Sequence, residues 1–330
     1  MPKSLKSVPI LIPGAINPIT LDRLRPIFDV SYIEAGFSAV PAELARQVRG
    51  IAAIIPMDAA TIDLFPNLEI IAHFGVGYDS VDAVHAASRG IVVTNTPGVL
   101  NEDVADLAVG LLINAIRQLP QAEQWLRAGH WADKGPYPLT RLTLRERRVG
   151  IYGLGRVGQA VARRLEGFGV EIRYHNRNPV EGVSYQYHAS LLELAEAVDT
   201  IISVAPSTPE TAKSVNAAVL TALGQNGVFV NIGRGATVDQ DALILALQRG
   251  TIAAAGLDVY ANEPNVPKAL LDLANVSLAP HVGSATEYTR AAMATLCADN
   301  VIAWFSEGWP RTPVAETTNI RRQTATDASP

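Results

Sequence analysis

The chain has 330 residues, a length typical of about two domains and sufficient for sizeable hydrophobic cores. Hydrophobic residues make up 48% of the sequence and charged residues 18%, which excludes a disordered or low-complexity chain. The 27 basic and 32 acidic residues give a net charge of -5, so nucleic acid is not an expected partner. These values favour a compact globular protein.

The cysteine count and the distribution of apolar residues bear on the compartment. Cys297 is the only cysteine, which excludes an intrachain disulfide and a cysteine-built metal site, and no metal is predicted. Pro9, Pro13 and Gly14 interrupt the apolar stretch that a signal peptide needs. No apolar run approaches the roughly 18 to 20 residues that cross a bilayer. We therefore expect a cytoplasmic protein that has no membrane partner.

Short runs rich in valine and isoleucine alternate with segments of helical periodicity through most of the chain. This alternation is typical of repeated βαβ units around a parallel sheet. A first series of strands is predicted at residues 8–12, 29–33, 51–55, 69–74 and 91–94. A second series is predicted at 148–152, 170–175, 199–204, 227–231, 252–257 and 275–279. The sequence therefore predicts an α/β fold with two doubly wound parallel sheets.

Two long helical segments flank the second series of strands. Apolar residues recur at three- and four-residue steps from Asn101 to Leu119, with Asn101 as the expected N-cap. A similar pattern runs from Glu287 to Phe305, after the last strand. These helices are candidates for carrying the chain from one domain to the other and back. The tail from Trp309 lacks periodicity and is expected to fray at its end.

A glycine-rich turn, GLGRVG at residues 153–158, directly follows the predicted strand at 148–152. Gly153 permits a tight turn, Gly155 lets the backbone approach a pyrophosphate, and Gly158 lets the next helix pack closely on the strand. The exposed N–H groups at the start of that helix then bind phosphates. The helix itself is indicated by an apolar stripe formed by Val157, Val161, Leu165 and Phe168. This order of strand, glycine turn and helix predicts a dinucleotide-binding domain.

The residues after the next strand indicate which dinucleotide is preferred. A domain that prefers NAD usually places a carboxylate there, about 20 residues after the turn, to bind the ribose 2′-hydroxyl. This chain has Asn176, Arg177 and Asn178 at that place, and Arg156 lies within the turn. Arginine binds a 2′-phosphate through charge-assisted hydrogen bonds, whereas a carboxylate would repel it. We predict that NADPH is the cofactor and that NADH binds more weakly.

Three further loops follow strands of the same domain, and ligands bind outside the carboxyl ends of such strands. They carry Arg234 between two glycines, Glu263 before a proline, and His281 after a proline. Arginine binds a substrate carboxylate with two parallel hydrogen bonds, and histidine donates a proton near neutral pH. A nearby glutamate favours the imidazolium form. The set suits reduction of a 2-keto acid, although singly each residue also fits a structural or solvated role.

Several motifs in order resemble the D-isomer-specific 2-hydroxyacid dehydrogenase family, over about residues 50 to 313. After the glycine turn they are VAPSTPET at 204–211, NIGRGATVD at 231–239, AGLDVYANEP at 255–264 and APHVGSAT at 279–286. The resemblance implies that Arg234, Glu263 and His281 are catalytic and that Val76 and Gly77 present backbone N–H groups to the substrate carboxylate. Further cofactor contacts are predicted in these motifs at Val157, Val204, Ala205, Pro206, Thr211, Ile232, Gly233, Asp258, Gly283 and Ser284. For Asp258, a place near the nicotinamide and a capping role both remain open.

The family resemblance also implies the domain organisation. It predicts a flavodoxin-like substrate domain built from residues 1–100 and 287–330, and a Rossmann-type NADP-binding domain at 101–286. Family members bind their substrates in the cleft between two domains that close on the cofactor, and they are typically homodimers. Residues 118–138, with Trp125, Trp131 and Tyr137, resemble the arm that forms the dimer interface. One of these aromatics is a candidate for reaching the neighbouring subunit's pocket.

Within the family, particular residues narrow the expected activity. Glu263 differs from the glutamine of formate dehydrogenases, and residues 175–178 with HVGSAT are most similar to NADPH-dependent glyoxylate/hydroxypyruvate reductases. The predicted function is therefore reduction of a 2-keto acid to the D-2-hydroxy acid. One alternative is a D-lactate or other D-2-hydroxyacid dehydrogenase with different pocket walls, for which Met57 and Trp131 are candidates. An alternative of another class is a dinucleotide-sensing corepressor-like protein.

Overall fold

The computed structural model describes residues 5–322, which form two compact units. The first unit contains residues 5–99 and 286–322, and the second contains Leu100–Ala285. Each change of unit falls one residue before the limits predicted at residues 100 and 286. Each unit has its own parallel sheet covered by helices.

The first unit has a five-stranded parallel sheet with the strand order β2-β1-β3-β4-β5. This is the flavodoxin-like order, in which ligands bind at the carboxyl ends of the strands. The strands are β1 (Pro9–Pro13), β2 (Asp29–Ile33), β3 (Gly50–Ala53), β4 (Ile70–His73) and β5 (Val92–Thr94). The helices are α1 (Pro18–Leu24), α2 (Ala42–Gln47), α3 (Ala59–Asp63), α4 (Ala83–Ser88) and, from the end of the chain, α13 (Glu287–Glu307).

The second unit has a seven-stranded parallel sheet with the order β12-β11-β10-β9-β6-β7-β8. The strand order reverses between β6 and β9, as in a Rossmann fold. The strands are β6 (Arg148–Tyr152), β7 (Glu171–His175), β8 (Gln186–His188), β9 (Thr200–Ser203), β10 (Val228–Asn231), β11 (Ala254–Leu257) and β12 (Val276–Leu278). The helices are α5 (Asn101–Arg117), α6 (Leu119–Arg127), α7 (His130–Lys134), α8 (Arg156–Glu166), α9 (Leu191–Ala197), α10 (Ala217–Leu223), α11 (Gln240–Arg249) and α12 (Lys268–Leu271).

The predicted α/β class and all eleven predicted strands are confirmed, with ends that differ by no more than two residues. Strand β8 was not predicted; it is an edge strand of three residues that contains neither valine nor isoleucine. Buried parallel strands read as continuous apolar runs, and β8 has no such run because it pairs on one side only. Phe168 does not continue the predicted apolar stripe, because α8 ends at Glu166 and Phe168 is exposed.

The two long helices are present, but their ends differ from the prediction. The N-cap of α5 is Leu100, so the prediction that Asn101 caps this helix was wrong. The helix ends early because Gln118 adopts a left-handed conformation with φ of 51°. In α13, the Thr286 hydroxyl accepts a hydrogen bond from the Thr289 N–H at 3.1 Å, and the helix runs two residues further than predicted, to Glu307.

The sheet of the second unit carries a hydrophobic core on each face. Helix α5 packs so closely on β11 that a Cβ at Gly256 would lie 3.0 Å from the Leu111 carbonyl oxygen. In the first unit, the tail segment packs against β5, where the Val314 N–H donates to the Val93 carbonyl at 2.9 Å. The end of the tail, which was expected to fray, lies outside the described residues. Between residues 5 and 322, no helix combines the length and apolar character needed to cross a bilayer.

Candidate active site

The glycine turn of the second unit is fixed by close backbone contacts. Gly153 has a φ of +101°, and a Cβ at Gly158 would lie only 2.2 Å from the Gly153 carbonyl oxygen. A Cβ at Gly155, in contrast, would meet nothing within 4 Å. Helix α8 starts directly after Gly155 without a side-chain cap. These residues fit a dinucleotide, because the open side of the turn carries unpaired helix N–H groups that suit a pyrophosphate.

The residues after β7 lie beside this turn. The Asn176 side-chain oxygen accepts a hydrogen bond from the Leu154 N–H at 2.6 Å, which ties the end of β7 to the turn. Arg177 and Asn178 are exposed. A side-chain hydrogen bond from Thr208 lowers the pKa of Glu210, and the charge of Arg177 contributes to the same shift. Arg177 is therefore an exposed cation directly after the residue that bonds the glycine turn.

The loop after β9 packs between two glycine-containing turns. A Cβ at Gly153 would lie 2.9 Å from the Ala205 amide nitrogen, and one at Gly233 would lie 2.7 Å from the Ala205 carbonyl oxygen. The Val204 N–H donates to a carbonyl of β6 at 2.8 Å, and the Thr211 hydroxyl donates to the Pro206 carbonyl at 2.7 Å. The predicted cofactor contacts of this loop therefore lie at the same sheet edge as the glycine turn.

The turn that carries Arg234 is held by a buried asparagine at the end of β10. The Asn231 side chain accepts from the Gly233 N–H at 3.0 Å and donates to the Arg234 carbonyl at 3.0 Å. The Thr237 hydroxyl donates to the same carbonyl at 2.7 Å. Asn231 was not among the predicted site residues, although an asparagine at a strand end, two residues before Gly-Arg-Gly, indicates such a role. Ile232, another predicted cofactor contact, is buried in the core.

His281 and Glu263 form a direct pair, with 2.7 Å between the imidazole Nδ1 and the carboxylate Oε2. The second oxygen of Glu263 accepts a hydrogen bond from the Tyr260 N–H at 2.9 Å, which fixes the carboxylate. His281 has a φ of +55° and its side chain is half-exposed. Because Nδ1 faces Glu263, the other ring nitrogen, Nε2, is the atom available to a substrate.

Asp258 fixes the loop that carries His281 through three hydrogen bonds. Its two carboxylate oxygens accept hydrogen bonds from the Val282 N–H at 2.7 Å and the Gly283 N–H at 2.9 Å, and its carbonyl accepts from the His281 N–H at 2.9 Å. Burial raises the pKa of Asp258, and the two N–H groups oppose this shift. The sequence left two roles open for Asp258, and these contacts are those of a capping residue. Ser284, the next residue of the loop, is half-buried.

The loops of Arg234, Asp258 and His281 leave the sheet at one edge. Asn231 pairs with Leu257, and Leu257 pairs with Leu278, so the ends of β10, β11 and β12 are aligned. The cation, the paired imidazole and its supporting carboxylates therefore lie at the carboxyl edge of neighbouring strands, where Rossmann folds bind ligands.

In the first unit, Val76 and Gly77 follow β4 at the carboxyl edge of its sheet. Their N–H groups donate to no acceptor among residues 5–322, so they are available to an anion. Met57, predicted to form a pocket wall, is instead fully buried in the core cluster that contains Ile62 and Phe65. It offers no surface to a ligand, because the chain after β3 turns its side chain inward.

Part of the predicted arm folds on itself. The Trp125 ring contacts the rings of His130 and Tyr137 edge to face, and its N–H donates to the Gly135 carbonyl at 3.2 Å. Trp131 is 64% exposed. Leu119 and Leu126 of the segment are exposed as well, and so is Leu139 directly after it. The arm therefore presents an apolar surface in which Trp131 is the exposed aromatic residue.

Comparison with known proteins identifies the family. Residues 109–283 match the family model described as D-isomer specific 2-hydroxyacid dehydrogenase, NAD binding domain. The chain belongs to this family. Its predicted resemblance to 2-hydroxyacid dehydrogenases is thereby confirmed, and so is its assignment as an oxidoreductase.

Three similar proteins represent different parts of this dehydrogenase family. A solved structure of NADPH-dependent glyoxylate/hydroxypyruvate reductase from Sinorhizobium meliloti, in complex with NADP and malonate, is 57% identical; it covers 96% of this chain and 99% of its own, with a TM-score of 0.93. Hydroxyphenylpyruvate reductase of Plectranthus scutellarioides is 44% identical over 82% of this chain and 88% of its own length. Glyoxylate reductase of Thermococcus onnurineus is 38% identical over 95% of this chain and 98% of its own length.

Proposed function

We propose that this dehydrogenase is an NADPH-dependent reductase of 2-keto acids, of the glyoxylate/hydroxypyruvate type, that forms the D-2-hydroxy acid. The observation that carries the proposal is the His281–Glu263 pair, at the same sheet edge as the Arg234 turn and the open side of the glycine turn. The names of the similar reductases from Sinorhizobium meliloti and Thermococcus onnurineus support the substrate class.

His281 is proposed to act as the general acid. Its Nδ1 faces the Glu263 carboxylate at 2.7 Å, which fixes the orientation of the ring. Nε2 then donates its proton to the carbonyl oxygen of the keto acid. When bound, the reduced nicotinamide supplies the hydride to the carbonyl carbon. One proton and one hydride convert the keto acid to the hydroxy acid.

Arg234 is proposed to bind the substrate carboxylate. A guanidinium makes two parallel hydrogen bonds to a carboxylate and keeps its charge at any working pH. The Asn231 side chain fixes the backbone on both sides of Arg234, which limits the positions open to that guanidinium. In the first unit, the N–H groups of Val76 and Gly77 are proposed to bind a carboxylate of the substrate as well.

Cofactor preference is proposed to follow from the residues after β7. Arg177, with Asn178, would bind the 2′-phosphate of NADPH, and no carboxylate occupies residues 176–178 to bind the ribose of NADH instead. The phosphates would bind at Gly155 and the first turn of α8, where Arg156 adds positive charge. NADH is expected to bind more weakly because it lacks the group that Arg177 recognises.

The domain roles, assembly and compartment are also proposals. Residues 1–100 and 287–330 would form the substrate domain, and residues 101–286 the NADP-binding domain. The exposed apolar residues of the arm, among them Trp131, support a homodimer. The lone, buried Cys297 fits a reducing compartment, which supports a cytoplasmic location. Light scattering of the purified protein tests the dimer.

A spectrophotometric substrate panel tests the proposed activity. Oxidation of NADPH is followed at 340 nm, as is usual for this cofactor, with glyoxylate, hydroxypyruvate, pyruvate and phenylpyruvate, and each assay is repeated with NADH. We expect turnover with glyoxylate and hydroxypyruvate and a higher kcat/KM with NADPH than with NADH. Absence of NADPH oxidation with all four acids would refute the proposed function.

A further inference from the structure

We infer that His73 and Asn95 are positioning residues, which orient the backbone N–H groups of the loop at residues 75–78 toward the substrate carboxylate. The inference rests on the proposed function, in which the N–H groups of Val76 and Gly77 bind that carboxylate, and it adds the Tyr78 N–H as a third donor. It assigns to two polar side chains of the first unit a role in substrate affinity.

Each carbonyl oxygen of the 75–78 loop accepts a hydrogen bond from the first unit. Two of the donors are backbone N–H groups, and the other two are the side chains of His73 and Asn95. The pairs are Thr96 N–H to Gly75 O at 2.8 Å, Asn95 Nδ2 to Val76 O at 2.7 Å, His73 Nε2 to Gly77 O at 3.0 Å, and Val81 N–H to Tyr78 O at 2.9 Å.

The direction of each carbonyl fixes the direction of the next N–H group. In a planar trans peptide the C=O and N–H bonds point opposite ways, and the peptides of this loop are trans. Asn95 therefore turns the Gly77 N–H outward by holding the Val76 carbonyl, and His73 does the same for the Tyr78 N–H by holding the Gly77 carbonyl.

The outward N–H groups lie next to each other in the chain. Those of Val76, Gly77 and Tyr78 donate to no acceptor in the part of the chain that the structure describes. Successive N–H groups that point the same way form a concavity that binds anions. The loop is thus arranged for a carboxylate, and two of its three outward N–H groups depend on a side chain for their direction.

The glycine at position 75 is required by His73. The imidazole is buried at the end of β4, and a Cβ at Gly75 would lie 2.9 Å from its Nε2. A larger residue at position 75 would push the ring away from the Gly77 carbonyl. Gly75 therefore allows the contact between His73 and the loop.

Asn95 is itself held by residues from the end of the chain. The Thr312 hydroxyl donates to the Asn95 carbonyl at 2.6 Å, and the Thr312 N–H donates to the side chain of Asn300 at 2.8 Å. Asn300 lies on α13 and is fully buried. A chain of hydrogen bonds thus connects α13 with the 75–78 loop through Asn95, which makes the loop geometry a property of the folded unit.

Two substitutions test the inference by removing one donor each. Asn95→Asp keeps the size of the side chain but replaces its N–H donor by an oxygen, and His73→Leu removes the imidazole. We expect each to raise the KM for glyoxylate about tenfold, the size of effect that one lost hydrogen bond produces. kcat should change less than about twofold, because the loop binds ground state and transition state alike. His73→Gln, which retains an N–H donor, should recover part of the affinity.

A direct binding measurement separates this inference from the proposed function. Oxalate, a carboxylate that hydride cannot reduce, is titrated by calorimetry into the NADPH complex of each variant. Its Kd should rise in parallel with KM, while the Kd for NADPH stays unchanged. Oxalate binding is measured even where no keto acid is turned over, so failure of the proposed activity leaves this test intact.

Thr317→Val is the matched control. The Thr317 hydroxyl is also buried and connects the tail to β5, by accepting from the Val93 N–H at 3.1 Å and donating to the Val93 carbonyl at 3.0 Å. These hydrogen bonds of the hydroxyl go to β5 and not to the 75–78 loop, so their loss should lower the melting temperature and leave KM and oxalate affinity unchanged. Unchanged oxalate affinity in folded Asn95→Asp and His73→Leu would overturn the inference. An equal rise of KM in Thr317→Val would also overturn it. If His73→Leu or Asn95→Asp fails to fold, His73→Gln or Asn95→Ser replaces it in the same assays.

Discussion

Two loops of this protein present backbone N–H groups at the carboxyl edge of a parallel sheet, but they are held in different ways. The glycine turn of the second unit is fixed chiefly by its own backbone, since Gly158 packs against the Gly153 carbonyl without room for a Cβ, and Asn176 adds one side-chain hydrogen bond. In the 75–78 loop of the first unit, two of the four carbonyls are held by side chains, and one of these, Asn95, is held in turn by Thr312. The first geometry is encoded locally, whereas the second is encoded by residues far apart in the sequence.

The largest expected effect distinguishes a loss of catalysis in the second unit from a loss of substrate binding in the first. His281→Ala removes the general acid at the edge of the second unit and should lower kcat by about 10² to 10⁴-fold, with the Kd for NADPH unchanged. Asn95→Asp in the first unit should instead change KM. Steady-state kinetics and cofactor titration on both variants make the comparison. Wild-type kcat in His281→Ala would remove His281 from its proposed role.

The next largest effect tests whether the close contact between Gly158 and the Gly153 carbonyl fixes the glycine turn. Gly158→Ala should destabilise the protein by about 1 to 3 kcal/mol or prevent folding, because the added Cβ overlaps the Gly153 carbonyl. This loss is expected although alanine is the better helix former by about 1 kcal/mol. Thermal unfolding measures the change.

Gly155→Ala is the matched variant for that measurement. Its Cβ enters open space, so the variant should fold like the wild type and lose about tenfold or more in NADPH affinity, because the Cβ occupies the place of the pyrophosphate. Equal stability of the two variants, or unchanged NADPH affinity in Gly155→Ala, would contradict the assigned packing.

Arg177→Ala tests the cofactor preference of the second unit. We expect the Kd for NADPH to rise about tenfold while that for NADH stays the same, since a charge-assisted contact to the 2′-phosphate is lost. Arg148→Ala, an exposed arginine at the opposite edge of the same sheet, is the control for a general loss of positive charge. An unchanged ratio of the two Kd values would show that Arg177 does not select the cofactor.

The smallest effect concerns Cys297 in the first unit. Burial raises the pKa of this thiol to about 12, and the side chain is completely inaccessible. The native protein should therefore resist iodoacetamide at pH 8 and react only after unfolding. The unfolded thiol loses its proton near pH 8.5, so stability should decline as the pH rises from there toward 12. Rapid alkylation of the folded protein would contradict the burial of Cys297.

The difference between the two loops also explains which parts of the fold and the site could be predicted from the sequence. The glycine turn, the strands and the positions of Arg234, Glu263 and His281 after strand ends were predictable, because local motifs encode them. Asn231 has an equally local signal, which was missed. The partnership of Asn95 with Thr312 has none, because the two residues meet only through the packing of α13 and the tail. Met57 was misjudged because its position after a strand does not reveal which way the side chain turns.

The stereochemistry of the product tests the central proposal most directly. Hydroxypyruvate is reduced with NADPH by the wild-type protein, and the glycerate formed is resolved by chiral chromatography. The proposed activity predicts D-glycerate in an amount equal to the NADPH oxidised. L-glycerate, or NADPH oxidation without glycerate, would contradict the assignment of this protein as a D-2-hydroxy acid-forming reductase.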